Sequence, residues 1–401
     1  MKSIIIPTYK HLNDFLKPCC ESIIKYTDLS DVEVIVVANG CGNDGTKEYV
    51  ESLGAPFNLI WVDEGLGYTK ATNLGVKESA GDIIILMNND LLLLPQEKNA
   101  WMRYLCEPLK NRVGLTCNLK IWDASVERMF AVFFCAATTR AIWDKVGGLD
   151  ESWSPGGGED IEFCLKVEQL GYTIIQVPDE VNTPGGNGIN VNHFPSYHPG
   201  EGTMMDAEHK AGWEKHIHDV RARLKEKYQL PPGWFYGGDI EEYRRLVEDL
   251  PEGSTMCELG CYKGRSLCSV SDIIKRKNIT VFVVDVFTGT ASEGHYEPDY
   301  QAEFERNLER FGIRDNVLQI LKMTTNEAVS HFGNEAFDLV FIDADHQYSA
   351  IKQDIENWLP KVKKHGTISG HDYGTHDGIA KAVNEKWSNV RVGQYIWSKR
   401  I

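Results

Sequence analysis

At 401 residues, with 42% hydrophobic side chains, the chain is long enough for two or three domains with real cores, which excludes a disordered or fibrous protein. A formal net charge of -16, from 58 acidic against 42 basic side chains, excludes a general nucleic-acid binder, which needs clustered Lys and Arg; anionic ligands must be held locally. The ten cysteines lack paired C-x-x-C spacing and read as small buried thiols in a reducing compartment. Met1 leads into a strand-like run without a tripartite leader, and the longest apolar stretch, Met129 to Thr138, is about half a bilayer span. A cytoplasmic protein without a membrane span is expected.

In chain order, Lys2 to Thr8 is a short strand stopped by Pro7, Leu12 to Tyr26 a helical pattern, and Asp31 to Ala38 a second strand followed by the turn-rich Asn39 to Gly45. A helix over Thr46 to Leu53, a strand over Asn58 to Val62 and a helix over Tyr68 to Ser79 lead to Ile83 to Met87. This five-residue apolar run is too short for an ordinary helix and suits a parallel strand covered on both faces. It gives way abruptly to Asn88, Asn89 and Asp90. Polar oxygens are thereby placed at the carboxyl edge of a sheet, where open α/β folds bind ligands, although Asn and Asp are also ordinary turn residues. Strands alternating with helices of this length predict βαβ units and a mostly parallel sheet. Further on, Gly156 to Asp160 precedes a helix over Ile161 to Leu170, and Thr173 to Val177 is a strand.

These blocks, SIIIPTY, VIVVANG, the run from Asp63 to Asp90 and GGLDESWSPGGGEDIEFCLKVEQLGY, resemble a family 2 glycosyltransferase of the GT-A fold, in the family's own order from Ser3 to Tyr172. The resemblance implies a nucleotide-sugar donor and a glycan acceptor. It places Pro7, Thr8, Tyr9 and Asn39 at the nucleotide and Gly67 and Asn73 on the phosphate side. The family usually has an acidic residue where Ala38 stands, which leaves the donor base open. Asn88, Asn89 and Asp90 stand at the family's D-x-D metal motif with only the last carboxylate kept. Asp90 is then the ligand of Mn or Mg, Asn88 contributes at most a neutral oxygen or a contact to ribose, and Asn89 stands with them in the cofactor site. Asp160 is the expected general base of an inverting displacement. A histidine after the last strand is the expected third metal ligand; of His193 and His198, His193 is the candidate.

Asp206 to Tyr228 carries Trp213, Ile217, Val220 and Leu224 at helical spacing and ends at Pro231 and Pro232, so residues 206 to 235 are expected to connect a domain of residues 1 to 205 with one of 236 to 401. His216 and His218 cannot share a helical face, and no metal site is expected there. In the second half a helix over Ile240 to Leu250 precedes the strand Thr255 to Leu259, which runs into Gly260 to Gly264 and a helix over Ser266 to Lys275. The next strand, Thr280 to Val284, ends at Asp285. A glycine turn after a strand, with a carboxylate on the neighbouring strand end, suits a nucleoside cofactor in a Rossmann-like fold.

The run from Phe337 to Tyr373, together with ELGCYKG, resembles class I S-adenosylmethionine-dependent O-methyltransferases that act on sugars. That resemblance assigns Glu258, Gly260, Tyr262, Gly264, Asp285 and Asp343 to the cofactor. Strands over Leu339 to Ile342 and Thr367 to Ser369 bring Asp343, Asp345, His346, His371 and Asp372 to adjacent strand ends. A sugar hydroxyl is a poor nucleophile until deprotonated, and histidine is the natural base near neutral pH. By the D-x-x-H spacing of the metal-dependent relatives, His346 is the base and Asp343 and Asp372 are ligands of Mg. His371 stands where a further acidic ligand is expected, so a histidine that anchors cofactor or substrate is the rival. The expectation for the whole is a bifunctional enzyme that adds a sugar and methylates a sugar hydroxyl. The alternative is a sugar O-methyltransferase whose N-terminal domain binds glycan.

Overall fold

The structure is a computed structural model that describes residues 1–177, 189–190, 194–199, 207–289 and 297–401, with the backbone alone for 189–190 and 207–211. It divides into two compact units, Met1–Gln229 and Leu230–Ile401.

Unit 1 is built on a seven-stranded sheet in the order Thr173–Gln176, Val113–Cys117, Cys135–Thr139, Ile83–Met87, Lys2–Thr8, Val32–Asn39, Phe57–Val62. Cys135–Thr139 runs antiparallel to both neighbours and the other pairings are parallel. Successive residues of the central strands face opposite cores. Ile4, Ile6, Ile85 and Met87 join one apolar cluster, while Ile5, Ile84 and Leu86 join the other. A strand covered on both faces has no polar side to alternate with, which is why Ile83–Met87 is continuously apolar. The helix Ala207–Tyr228, expected as a connector, belongs to this unit: Val220 and Leu224 are buried in its second core. A helix stripe needs an apolar partner, and here the nearest lies within its own domain.

Unit 2 has a second seven-stranded sheet in the order Val317–Lys322, Thr280–Asp285, Thr255–Leu259, Phe337–Ile342, Val362–Gly370, Ile396–Arg400, Arg391–Gly393. The first five strands are parallel, and Ile396–Arg400 runs antiparallel to both of its neighbours. It too is covered on both faces, with Met256, Val283 and Phe341 on one side and Cys257, Leu259 and Ile342 on the other. The helix expected over Ser266 to Lys275 is two short helices, Arg265–Ser269 and Ser271–Arg276, which meet at Val270. All ten cysteines are free thiols, nine of them buried. Among the described residues no helix is long and apolar enough to cross a membrane.

Candidate functional site

In unit 1 a cavity of ≈ 850 Å³ is lined by strand-end residues, Thr8, Asn88 and Asp90 among them, and by Gly156, Asp160 and His216. Strand Ile83–Met87 delivers Asn88 and Asp90, and Thr8 accepts a hydrogen bond at 2.8 Å from the Asn89 amide. Oδ1 of Asn88 and Oδ1 of Asp90 are buried oxygens that, among the described residues, no donor reaches with hydrogen-bond alignment. Nε2 of His198 lies 3.1 Å from Oδ1 of Asp90 and 3.5 Å from Nδ2 of Asn88. The imidazole is held by stacking on Phe134, with ring centroids 4.3 Å apart. Buried oxygens and an imidazole nitrogen lining one cavity are donors of the kind that fit a divalent cation such as Mn²⁺ or Mg²⁺. His193, the sequence candidate for the third ligand, lies outside the described residues; His198 is the histidine placed beside Asp90.

Asp160 stands in the first turn of the helix Glu159–Gln169, where its Oδ1 accepts from the Ile161 N–H at 2.8 Å. Burial, and then the like charge of Glu159, push its carboxyl well above the usual range. Glu159 is held differently, its Oε2 accepting from the N–H groups of Gly157 (2.6 Å) and Gly158 (2.9 Å). Burial raises the Glu159 carboxyl too, but two main-chain N–H groups hold it to the turn, which leaves Asp160 as the better placed proton acceptor in the cleft.

Two expectations change. Asn73 does not line the cavity: Nδ2 donates to the Leu149 carbonyl at 2.8 Å and Oδ1 accepts from the Leu149 N–H at 3.0 Å, so it fastens its helix to the loop before Glu151. Asn39 lines the cavity but its amide is used internally, donating to the Thr8 carbonyl and accepting from the Leu66 N–H, both at 2.9 Å. Gly67 lines the cavity, and packing alone requires glycine there, since a Cβ would stand 2.6 Å from Cα of Pro155. Pro7, Thr8 and Tyr9 line the cavity, and so does His216, for which the sequence suggested no role.

In unit 2 the glycine turn follows Thr255–Leu259 with positive φ at Gly260, Tyr262 and Gly264. Asp285 does not offer its carboxylate to a ribose. Its oxygens accept from the N–H groups of Cys261 (2.8 Å), Tyr262 (3.0 Å) and Phe287 (2.6 Å) and from the Tyr300 hydroxyl (3.1 Å). Four donors fill a carboxylate's acceptor sites, so Asp285 shapes the turn instead. Gly260 is required by the neighbouring strand, since a Cβ there would meet the Asp343 carbonyl at 2.0 Å. The turn nonetheless arches main chain over the carboxyl ends of two central strands, which fits a cradle for an adenosyl cofactor.

Glu258 faces the core and not a ligand, accepting from the Tyr243 hydroxyl at 2.7 Å and from the Ser266 hydroxyl. Burial raises its carboxyl from an ordinary 4.5 to about 8. The folded state therefore keeps a proton that the unfolded chain releases. This contribution to stability is full below about pH 4.5, is lost as pH rises to about 8, and is flat beyond. Glu258→Gln should flatten that fall, so that unit 2 of the variant melts at a higher temperature than wild type at pH 9 but not at pH 5. Calorimetry across that range checks it.

At the carboxyl ends of Phe337–Ile342 and Val362–Gly370, Asp343, His346, His371 and Asp372 converge. Nε2 of His346 lies 3.1 Å from Oδ2 of Asp372 and 3.6 Å from Oδ1 of Asp343. Nδ1 of His371 lies 3.2 Å from Asp372 and 3.5 Å from Asp343, with Asp239 3.5 Å from its Nε2. Burial opposes charge on His371, but Asp343, Asp239 and Asp372 outweigh it and push the imidazole up to about 12. Burial likewise opposes charge on Asp343 and Asp372, yet the His371 charge holds both below the usual carboxylate range. His376, which sequence reading missed, stacks on His346 at 4.7 Å. The sets Asp343, His371, Asp372 and His346, Asp372, His376 each bring three potential ligand atoms within 4.8 Å of one another. The set with two imidazoles, His346 and His376, suits Mn²⁺ or Zn²⁺ better than Mg²⁺, whereas the two carboxylates of the other offer the oxygen that Mg²⁺ takes.

Residues 3–118 match the profile of glycosyl transferase family 2, and residues 257–373 match that of a methyltransferase domain. The chain thus carries a family 2 glycosyltransferase domain followed by a methyltransferase domain on two α/β sheets. Over 217 residues it is 29% identical to an uncharacterised protein of Sinorhizobium fredii, an overlap of 44% of this chain and 23% of that one. The chain therefore spans about a quarter of that relative's length. Among solved structures, the mannosyltransferase PcManGT of Pyrobaculum calidifontis in complex with GDP-Man and Mn²⁺ is 19% identical, covering 56% of this chain and 69% of its own at a TM-score of 0.35. The O-methyltransferase NovP is 19% identical, covering 44% of this chain and 85% of its own at a TM-score of 0.36.

Proposed function

We propose that the chain is a two-activity enzyme of glycan biosynthesis. Unit 1 transfers a sugar with inversion from a nucleotide-diphosphate donor to a glycan acceptor, and unit 2 methylates a sugar hydroxyl from S-adenosylmethionine. The observation that carries the first activity is the meeting, in one cleft, of the Asn88 and Asp90 oxygens, the His198 imidazole and the proton-avid carboxylate of Asp160. Asp90, His198 and Asn88 would hold Mn²⁺ or Mg²⁺, which when bound neutralises charge on a departing diphosphate. Asp160 takes the proton of the acceptor hydroxyl as that oxygen attacks. One base suffices for a single displacement, and the Gly156–Gly158 turn lets main chain approach both sugars.

In unit 2 His346 is the base, and Asp372 at 3.1 Å stabilises the imidazolium that forms. S-adenosylmethionine supplies a methyl already activated on a sulfonium, so the chain has only to hold it at the glycine turn and ionise the hydroxyl. Asp343 and Asp372 are the carboxylates that would hold a cation, with the charged His371 between them. Linking both activities on one chain raises the effective concentration of one product at the other site.

Purified chain incubated with UDP-, GDP- and dTDP-sugars and Mn²⁺, followed by S-adenosylmethionine labelled in its methyl group, tests this. One nucleotide sugar should be consumed only with Mn²⁺, and label should enter its glycosylated product. Label entering a preformed glycan with no nucleotide sugar consumed would reduce unit 1 to a glycan-binding module.

The metal assignment has its own check, independent of turnover. Asp90→Asn and His198→Ala should each weaken Mn²⁺-dependent binding of the nucleoside diphosphate at least tenfold, since loss of even an outer partner of a metal ligand costs about 10–100-fold. Calorimetric titration with and without Mn²⁺ reads it, and His198→Ala binding as wild type would remove His198 from the site.

A further inference from the structure

Helix Ala207–Tyr228 is fastened to the segment that carries Asp160 at three levels. Nε2 of His216 lies 2.7 Å from the Gly156 carbonyl oxygen. The guanidinium of Arg223 stands 4.0 Å over the Trp153 ring and donates to the Ser152 carbonyl at 3.1 Å. Lys227 and, at 2.6 Å, the Tyr228 hydroxyl reach Glu162. Gly157 is the point of closest approach: a Cβ there would stand 2.8 Å from Cδ1 of Ile217 and 3.4 Å from the Trp213 ring.

The buried Val220 and Leu224, with Ile217, are enough to dock this helix. Trp213, one turn before Ile217, instead borders the cavity beside His216 and stays partly exposed there. The other aromatics of the cavity are engaged: the Tyr68 hydroxyl donates to the Phe133 carbonyl at 2.9 Å, and Phe133 packs edge-on against Phe163. Tyr9 packs against Gly40 at the strand-end side, and Phe134 is covered by His198. Trp213 therefore supplies an indole ring on the side of the turn that leads into Asp160. An apolar ring face in the cleft matches the C–H face of a pyranose, whose hydroxyls point outward from its rim.

We propose that Trp213 is the platform on which the acceptor's sugar ring stacks, and that the His216 contact with Gly156 holds it in register with Asp160. The inference rests on the sugar-transfer reading of unit 1 and names the residue that selects the acceptor. A panel of p-nitrophenyl hexopyranosides is offered to the full chain with Mn²⁺ and the nucleotide sugar that wild type consumes, and Trp213→Phe, Trp213→Leu and Trp213→Ala are compared on the best acceptor. The Ala and Leu variants should raise acceptor KM by about tenfold or more, the Phe variant by no more than about threefold, with nucleoside diphosphate affinity unchanged in all three. Trp213→Leu fills the space over Gly157 without an aromatic face, so wild-type KM in that variant overturns the proposal. A fall in kcat alone, an equal loss of nucleotide affinity, or a wild-type enzyme that consumes nucleotide sugar but accepts no hexopyranoside overturns it as well. Consumption of no nucleotide sugar by wild type is the separate failure of the sugar-transfer reading.

Discussion

Asp160→Asn should lower sugar transfer by about 10²–10⁴-fold, the span that a positioned general base contributes, while the protein folds and binds nucleotide normally. The substitution is mild structurally because the amide oxygen can still accept from the Ile161 N–H, the 2.8 Å bond that Oδ1 now makes. What it removes is the proton acceptor. The pH profile gives a sharper reading. Asp160 works only when ionised, and burial together with Glu159 raises its pKa well above the ordinary carboxylate value. Transfer should therefore climb with pH through a limb lying well above pH 4. Glu159→Gln, which removes the like charge, should move that limb to lower pH. Initial rates of nucleotide release across pH 5 to 9, with circular dichroism as the control on folding, decide the matter. Near-normal turnover in Asp160→Asn would take the base role away from Asp160.

What the sequence made legible follows from how local each signal is. A short apolar run closed by Asn88 to Asp90, or by Asp343 to His346, announces a strand end and its polar cargo within a few residues, and both stand at sheet edges as read. The side chains whose partners are distant were misread. Asn73 resembles a phosphate-side residue until its clasp on Leu149, 76 positions away, is seen. Asp285 resembles a ribose acceptor until the donors of the 261–262 turn, 23 and 24 positions back, fill its oxygens. Helical spacing identified the stripe of Trp213, Ile217, Val220 and Leu224, but periodicity says that a stripe is buried, not against what. Only the contact of Ile217 and Trp213 with Gly157 turns a charged helix beside a proline boundary into a wall of the cleft. His198 and His193 are equivalent on sequence, five positions apart in one loop. The stacking of His198 on Phe134 distinguishes it.

His346→Ala should lower methyl transfer by a comparable factor, about 10²–10⁴, with binding of S-adenosylhomocysteine retained. The two imidazoles differ in their surroundings. His371 is buried among Asp239, Asp343 and Asp372, whose charges outweigh its burial and raise it to about 12, so it stays an imidazolium throughout the working range and cannot take a proton. His346 is partly exposed at the same strand edges and has Asp372 at 3.1 Å to compensate the charge it gains. Its permanently charged neighbour then works in its favour, because His371 holds Asp343 and Asp372 ionised and keeps that compensation in place to low pH. Asp372→Asn should consequently lose most of the methyl-transfer rate too, through His346, and the His346→Ala/Asp372→Asn double variant should be little worse than His346→Ala alone, as expected for groups that act as a unit. Rates with labelled S-adenosylmethionine and calorimetric titration with S-adenosylhomocysteine separate chemistry from binding. Full methylation by His346→Ala, or additive losses in the double variant, would break the pair apart as the proton-accepting unit.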